Sequence, residues 1–348
     1  MSEREYSAAD RLFHQIALSG RATPELFFDI EKMLHADGCP DATDGAHIFV
    51  SGLARAGTTV LTRMLYDTGE LASLTYRDMP LVMAPNLWRA LSGGSQKSME
   101  KRERAHGDGL LVDFDSPEAL EEVFWRTFCG PDYIGAHALQ PMRAEADVID
   151  DFRLYVALIL KRYGRARYLS KNNNSILRLS SIAAAFPQAT ILIPFREPGA
   201  QAASLLAQHQ RFLKVHAEDP FSRRYMDWLA HHEFGANHRR FAFDGAGSED
   251  FGDPSRLDYW ADLWIDVHRR LLKAAEELGS RAIFFSHERL LANPRTVRLR
   301  LFERLGLAAS APLEIRSGAG RQQETFHRHD EARALYEELD ALAAEALG

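Results

Sequence analysis

The chain has 348 residues, 46% of them apolar and 26% charged, a globular composition long enough for one large domain or two modest ones, and one that excludes general disorder. Its net charge of -7 argues against an obligate nucleic-acid binder, because holding a phosphate backbone calls for a basic excess. Cys39 and Cys129 stand far apart with no C-x-x-C or Cys/His ligand spacing, so neither a disulfide framework nor a zinc site is expected and a reducing compartment fits best.

In chain order, MSEREYSAADRLFHQ is charged from its third residue and has no apolar run of signal length, and no later run approaches a membrane span. The expected location is therefore cytoplasmic. Residues 8 to 36 carry apolar positions at helical spacing and predict two helices burying Leu12, Ile16, Phe27, Ile30 and Leu34, followed by a loop from Gly38 to Gly45. Short β-like runs then follow: HIFVS, LASLTY, RYLS, ATILIPF and RAIFFS. They alternate with helical stretches near 57–69, 151–163, 174–186, 198–213 and 255–279. Such alternation predicts an α/β fold with a parallel sheet, and strands so short and apolar fit a sheet covered by helices on both faces. The polar, Gly-rich stretch from Ser92 to Pro117 reads equally well as a substrate-side insertion or a surface loop. The stretch from Arg239 to Arg256 reads as a mobile loop, and 329–347 as a closing amphipathic helix with an acidic surface.

HIFVSGLARAGTTVLTRML, residues 47 to 65, reads as a strand, a glycine-bracketed turn and a helix. Backbone N–H groups of Gly57, Thr58 and Thr59 then open the helix, and an anion belongs there: the N–H groups lack intrahelical partners, the helix dipole is positive, and glycine permits close approach. A nucleotide triphosphatase would carry lysine where Thr58 stands. The loop instead holds Arg55, a fixed charge able to fork onto two oxygens, and the later strands end in Arg196 and in Ser286-His287 rather than in a metal-binding carboxylate. The ligand read from these residues is a phosphate-bearing one met by arginine, without a metal. A second anion site suggests itself in ATILIPFREPGAQAASLLAQHQRF, where strand-end Arg196 and helical Ser204 can converge on one crevice; Arg196 capping structure or pairing with Glu197, and Ser204 back-bonding in its helix, stay open.

Taken together, these segments resemble the sulfotransferases that use 3′-phosphoadenosine 5′-phosphosulfate. In that family a strand-loop-helix with a Gly-Thr-Thr core holds the 5′-phosphosulfate, and an arginine with a serine eight residues on holds the 3′-phosphate. The resemblance runs from about residue 47 to 306 and includes YLSKNNNSILRL and FSHERLLANPRTVRLRLFERLGL. GLARAGTT is similar to the arginine-type loop of the bacterial, glycan and tyrosylprotein branches. The resemblance implies a P-loop-like α/β domain, a donor bound by Arg55, Ala56, Gly57, Thr58, Thr59, Arg196 and Ser204, 3′,5′-adenosine bisphosphate as product, and no metal. RSGAGR, residues 316 to 321, is a loose echo of the family's glycine-rich basic loop, which leaves Arg316 and Arg321 as doubtful ligands.

Sulfuryl transfer builds negative charge on the bridging oxygen of the leaving phosphate, so positioning and positive charge should carry the catalysis. Arg55 is the first candidate and Lys171, after the RYLS strand, the second; a solvated surface lysine is the alternative. For the general base, Asp78 lies where the resemblance places an acidic group, with a turn residue before Pro80 as the other reading, and His106 in ERAHGDGL is the rival. Glu121 and Glu122 read as a solvated helix face, Trp260 and Trp264 as core, and Trp88 and Trp125 as a possible apolar lining of the acceptor side. The expected organisation is one domain with a central parallel sheet: a helical extension over 1–46, a sulfotransferase-like α/β domain over 47–310, and a basic loop with a C-terminal helix over 311–348. The acceptor is expected to be the hydroxyl or amine of a small molecule, glycan or lipid. A P-loop kinase or nucleotide hydrolase, and a non-catalytic nucleotide-binding module, stay open as alternatives.

Overall fold

The computed structural model describes residues 8–92, 102–103, 111–112, 117–243, 251–308 and 326–347. Its central sheet has five strands, β1 (Ile48–Val50), β2 (Leu71–Ala72), β3 (Arg167–Lys171), β4 (Thr190–Phe195) and β5 (Ala282–Ser286), all parallel and ordered β2-β3-β1-β4-β5. β1 thus lies between β3 and β4, where the winding direction reverses and a crevice opens at the carboxyl edge. Successive strand residues face opposite sides. Phe49, Ile191, Ile193 and Phe195 enter one core, while Ile48, Val50, Leu169, Leu192, Ile283 and Phe285 enter another. Both faces are covered, and this is why the strands read as continuous apolar runs.

The helices are α1 (Ala8–Leu18), α2 (Ala22–His35), α3 (Thr58–Tyr66), α4 (Pro85–Ser92), α5 (Glu122–Tyr133), α6 (Ala146–Tyr163), α7 (Leu179–Ala185), α8 (Pro198–Glu218), α9 (Pro220–Trp228), α10 (Leu257–Leu278), α11 (His287–Ala292), α12 (Pro294–Leu305) and α13 (His329–Leu347). The second core joins the sheet to α3 through Leu61, Met64 and Leu65 and to α12 through Val297, Leu301 and Phe302. α13 closes the molecule against β5 and α10, burying Ala332, Leu335, Leu339, Ala343 and Leu347 at helical spacing. No helix among the described residues is long and apolar enough to cross a membrane.

Several local expectations change. LASLTY joins the central sheet only over Leu71–Ala72; beyond it Thr75 makes an isolated bridge to Pro117 and caps a 3-10 turn over Tyr76–Asp78. The stretch 174–186 divides into a 3-10 turn, Asn173–Leu177, and α7, because the Asn172 side chain accepts from Asn174 N at 3.0 Å and starts a separate turn. Within the expected mobile loop, Arg240–Phe241 pairs with Ala138–Leu139 and Arg240 is buried against Asp266; residues 244–250 lie outside the described residues. Two helices do form over 8–36, but Leu12, Ile16 and Leu34 are 57%, 51% and 52% exposed, and Phe27 and Ile30 are half-buried. α2 instead buries Phe28, edge-on to Phe124 and Tyr155, and Glu31. That carboxylate accepts from the Asn86 and Leu87 N–H groups, both at 2.9 Å, so it caps α4. A polar contact made in the tertiary fold outweighed the apolar stripe.

Buried His47, His232 and His268 and half-buried His238 are held neutral, with loss of solvation as the main cause: His47 and His268 are pushed down to about 4, His232 and His238 to about 3. His47 donates from Nε2 to the Ala42 carbonyl at 2.8 Å and accepts from Tyr168 N at Nδ1 at 2.9 Å, a pairing that protonation would break. The unfolded chain binds these protons near pH 6.5 while the folded chain does not. Their contribution is therefore fully present above pH 6.5 and is lost as pH falls toward 4 and 3, at roughly 1.4 kcal/mol per pH unit for each. Burial also raises Asp78 and Glu121, which acts in the opposite sense. Urea midpoints are expected to fall steadily from pH 6.5 to 4.5, and a flat profile would contradict the assignment.

Candidate active site

At the end of β1, Ser51 N donates to the Leu192 carbonyl at 2.9 Å and carries the chain over β4. Gly52 passes so close that a Cβ there would lie 2.7 Å from the Pro194 carbonyl oxygen, which explains glycine at that position. The loop then takes two left-handed residues, Arg55 at φ 69° and Gly57 at φ 84°. Such a conformation is uncommon for arginine and is a form of backbone strain that gathers at binding sites. It curls the loop into the N-terminus of α3, whose first-turn N–H groups have no partner within the helix. Ala56 and Thr58 are buried there, and Thr59 is half-buried. Across the loop, the His287 ring lies 3.1 Å from where a Gly57 Cβ would be.

The second segment docks directly onto this loop. Glu197 accepts from Gly199 N and Ala200 N and so caps α8, which removes it as the expected partner of Arg196. Gln201, fully buried, donates from its amide nitrogen to the Ala54 carbonyl at 2.9 Å and accepts at its oxygen from Arg196 N at 3.2 Å and Trp264 Nε1 at 3.0 Å. One side chain thereby fixes the loop, the strand-end arginine and α10 relative to each other. Nothing in the sequence marks this role, since a glutamine in an apolar helix carries no motif. Trp260 and Trp264 are core, as expected. Arg55 Nε donates to Ser204 Oγ at 3.1 Å, across 149 positions of sequence, so Ser204 does not merely back-bond in its helix. Arg196 has a buried Nε that makes no hydrogen bond, with Glu288 Oε1 at 3.9 Å.

On the other side of β1, Lys171 is level with Val50. It is not a solvated lysine: its side chain is 12% exposed and its Nζ lies 3.5 Å from Glu118 Oε1. Glu118 also accepts from Tyr76 OH at 3.0 Å, and the bridge between Thr75 and Pro117 brings it to this edge. Glu118 is an acidic group at this edge that the sequence does not announce, because a two-residue bridge leaves no periodic signal. Asp78 has the turn role. It is fully buried, accepts from Thr75 N at 2.9 Å and Tyr163 OH at 2.5 Å, and burial pushes its carboxyl up. His106, Arg316 and Arg321 lie outside the described residues.

Beneath Lys171 is a buried polar floor. Glu121 and Glu122, expected on a solvated face, are 2% and 0% exposed, because α5 starts only at Glu122 and turns both inward. Glu122 forms a two-pronged pair with Arg178 at 3.0 and 2.9 Å, accepts from Asn172 Nδ2 at 2.6 Å, and is met by the Tyr133 hydroxyl. Arg178 lies over the rings of Trp125 and Tyr133, so Trp125 belongs to this floor and not to an acceptor wall. Trp88 is likewise occupied, donating to the Arg77 carbonyl and packing on Phe13.

A parallel sheet flanked by helices, with a left-handed loop at its switch point and arginine and lysine side chains beside it, defines an α/β protein with a cationic crevice at the carboxyl edge of its strands. A family model described as the sulfotransferase family matches residues 47–245, more than half of the chain. The chain belongs to the sulfotransferase family and is a sulfuryl-transferring enzyme, so the kinase, hydrolase and non-catalytic readings are set aside. Among solved structures it is similar to sulfotransferase STF1 from Mycobacterium tuberculosis H37Rv, with 15% identity and a TM-score of 0.49 over 97% of this chain and 82% of that one. It is similar also to sulfotransferase STF9 from Mycobacterium avium, with 14% identity and a TM-score of 0.47 over 99% and 85%. A sulfotransferase from Alicyclobacillus acidocaldarius matches with 14% identity and a TM-score of 0.41 over 86% and 92%. No curated protein matches the chain.

Proposed function

We propose that the enzyme takes 3′-phosphoadenosine 5′-phosphosulfate as donor and passes its sulfuryl group to a hydroxyl or amine of a small-molecule, glycan or lipid acceptor. The observation that carries this reading is the Arg55–Ser204 contact, which joins the loop expected to hold the 5′ end to the helix expected to hold the 3′-phosphate. The orphaned Nε of Arg196 fits the same ligand, because a buried donor without a partner is costly and an anion would satisfy it. Gly57, Thr58 and Thr59 would hold the 5′ end with backbone N–H and hydroxyl groups, Ala56 keeping the loop narrow. Arg196 and Ser204 would hold the 3′-phosphate.

In the transfer, Glu118 accepts the proton of the acceptor hydroxyl or amine, the oxygen or nitrogen bonds to sulfur, and the S–O bond to the phosphate breaks with its electron pair left on the bridging oxygen. Arg55 and Lys171 neutralise that charge. Lys171 also lies within ion-pair distance of Glu118, so a single contact links the proton acceptor to the leaving-group charge. We assign the base to Glu118 rather than Asp78, since Asp78 is enclosed by Thr75 and Tyr163.

Calorimetry with 3′,5′-adenosine bisphosphate against ATP-Mg²⁺ tests the donor. The bisphosphate is expected to bind preferentially, and preference for ATP-Mg²⁺ would refute the reading. Arg196→Ala should weaken the bisphosphate by about 1.5–3 kcal/mol and Ser204→Ala by about 1, with adenosine 5′-phosphosulfate unaffected. Equal losses for both ligands would reduce the two residues to structural ones.

A further inference from the structure

After β5 the chain turns into α11, and its second residue, Glu288, faces the same carboxyl edge as Arg196. Its Oε1 lies 3.9 Å from Arg196 Nε and 3.5 Å from His287 Nδ1. Tyr336 OH, on α13, donates to its Oε2 at 3.4 Å, and Tyr336 also packs edge-on against Phe195, the residue before Arg196. The Arg196–Glu288 distance is that of an ion pair too long for a hydrogen bond. The carboxylate therefore offsets part of the guanidinium charge while leaving its donors unused, in line with the orphaned Nε. The two side chains are 24% and 35% exposed, so the charges act through partly screened solvent rather than as a locked buried pair.

Resting on the donor reading above, in which Arg196 meets the 3′-phosphate, we infer that Glu288 is a resident competitor for Arg196 that weakens the grip on the 3′-phosphate and so favours release of the bisphosphate product. A phosphate dianion approaching Arg196 comes close to this carboxylate, and like charges at that range repel. Tyr336 holds the carboxylate beside Arg196 from the C-terminal helix, which gives α13 a share in the donor site. Glutamine has the same shape and can still accept from Tyr336, so the substitution removes charge and little else.

The full-length Glu288→Gln variant is compared with the wild type by calorimetry, using 3′,5′-adenosine bisphosphate and adenosine 5′-phosphate. The variant is expected to bind the bisphosphate about three- to tenfold more tightly, as for unit charges a few ångströms apart in a largely aqueous setting, and to bind adenosine 5′-phosphate as before. The gain should shrink in high salt. Unchanged or weaker bisphosphate binding would overturn the inference, and so would equal tightening for both ligands. A wild type that does not prefer the bisphosphate over adenosine 5′-phosphate would instead refute the donor reading itself. A preference that Glu288→Gln leaves unaltered refutes only the role of Glu288. Should the variant melt far below the wild type, Tyr336→Phe decides, since it keeps the ring and frees the carboxylate from its hold beside Arg196: tighter bisphosphate binding with adenosine 5′-phosphate unchanged would support the repulsion, and unchanged or weaker bisphosphate binding would oppose it.

Discussion

Lys171→Ala and Arg55→Ala are each expected to lower kcat by about a hundred- to a thousandfold, the scale of a lost group aimed at charge developing in a transition state. Their effect on the affinity for 3′,5′-adenosine bisphosphate should be smaller, since that product lacks the bond being broken. The geometry makes the expectation specific. Lys171 ends β3 level with Val50, next to the loop, and Arg55 reaches from the loop to Ser204, so both charges flank the place where β1 gives way to α3. In the same assay Glu118→Gln should remove the acidic limb of the pH–rate profile along with most of the turnover. Asp78→Asn should move the melting temperature rather than kcat, because Asp78 is enclosed in a turn. Loss of turnover in Asp78→Asn at unchanged melting, with Glu118→Gln active, would return the base to Asp78.

Arg178→Ala is expected to destabilise the fold by about 3–5 kcal/mol, the cost of leaving one partner of a buried ion pair alone. Glu122 would then be a fully buried carboxylate left with Asn172 and the Tyr133 hydroxyl, and the guanidinium packed on Trp125 and Tyr133 would leave a void. Urea denaturation measures the loss. A double variant, Glu122→Leu with Arg178→Leu, should recover part of it, since removing both charges is far less costly than removing one. Additive losses would mean that the two side chains are not coupled. The pair also bears on catalysis: Asn172, anchored by Glu122, directly follows Lys171, so a loosened floor should lower kcat even in the folded fraction.

The parallel sheet, though not the order of its strands, follows from what the sequence carries locally. Five short apolar runs separated by helical ones leave few options other than a parallel sheet covered on both sides, because each run has to bury both of its faces. The glycine-bracketed turn before Thr58 was legible for a similar reason: only a loop with left-handed residues and a helix start behind it gives that pattern, and Arg55, Gly57, Arg196 and Ser204 stand where those local rules place them. What the tertiary structure alone decided is which charged residues face the crevice. Glu121, Glu122 and Glu31 look solvated in a helical projection, yet each is buried because a partner distant in sequence, Tyr168, Arg178 or Asn86, completes its hydrogen bonding. Leu12, Ile16 and Leu34 look buried by periodicity, yet they face outward, because periodicity marks an apolar stripe without saying what it meets. Glu118 and Gln201 have no motif at all; their roles arise from a two-residue bridge and a single side-chain amide. Local periodicity is a property of a segment and can be read from the segment. The pairing of a buried charge depends on where the rest of the chain arrives, and so the charged edge of the crevice, unlike the sheet, became visible only in three dimensions.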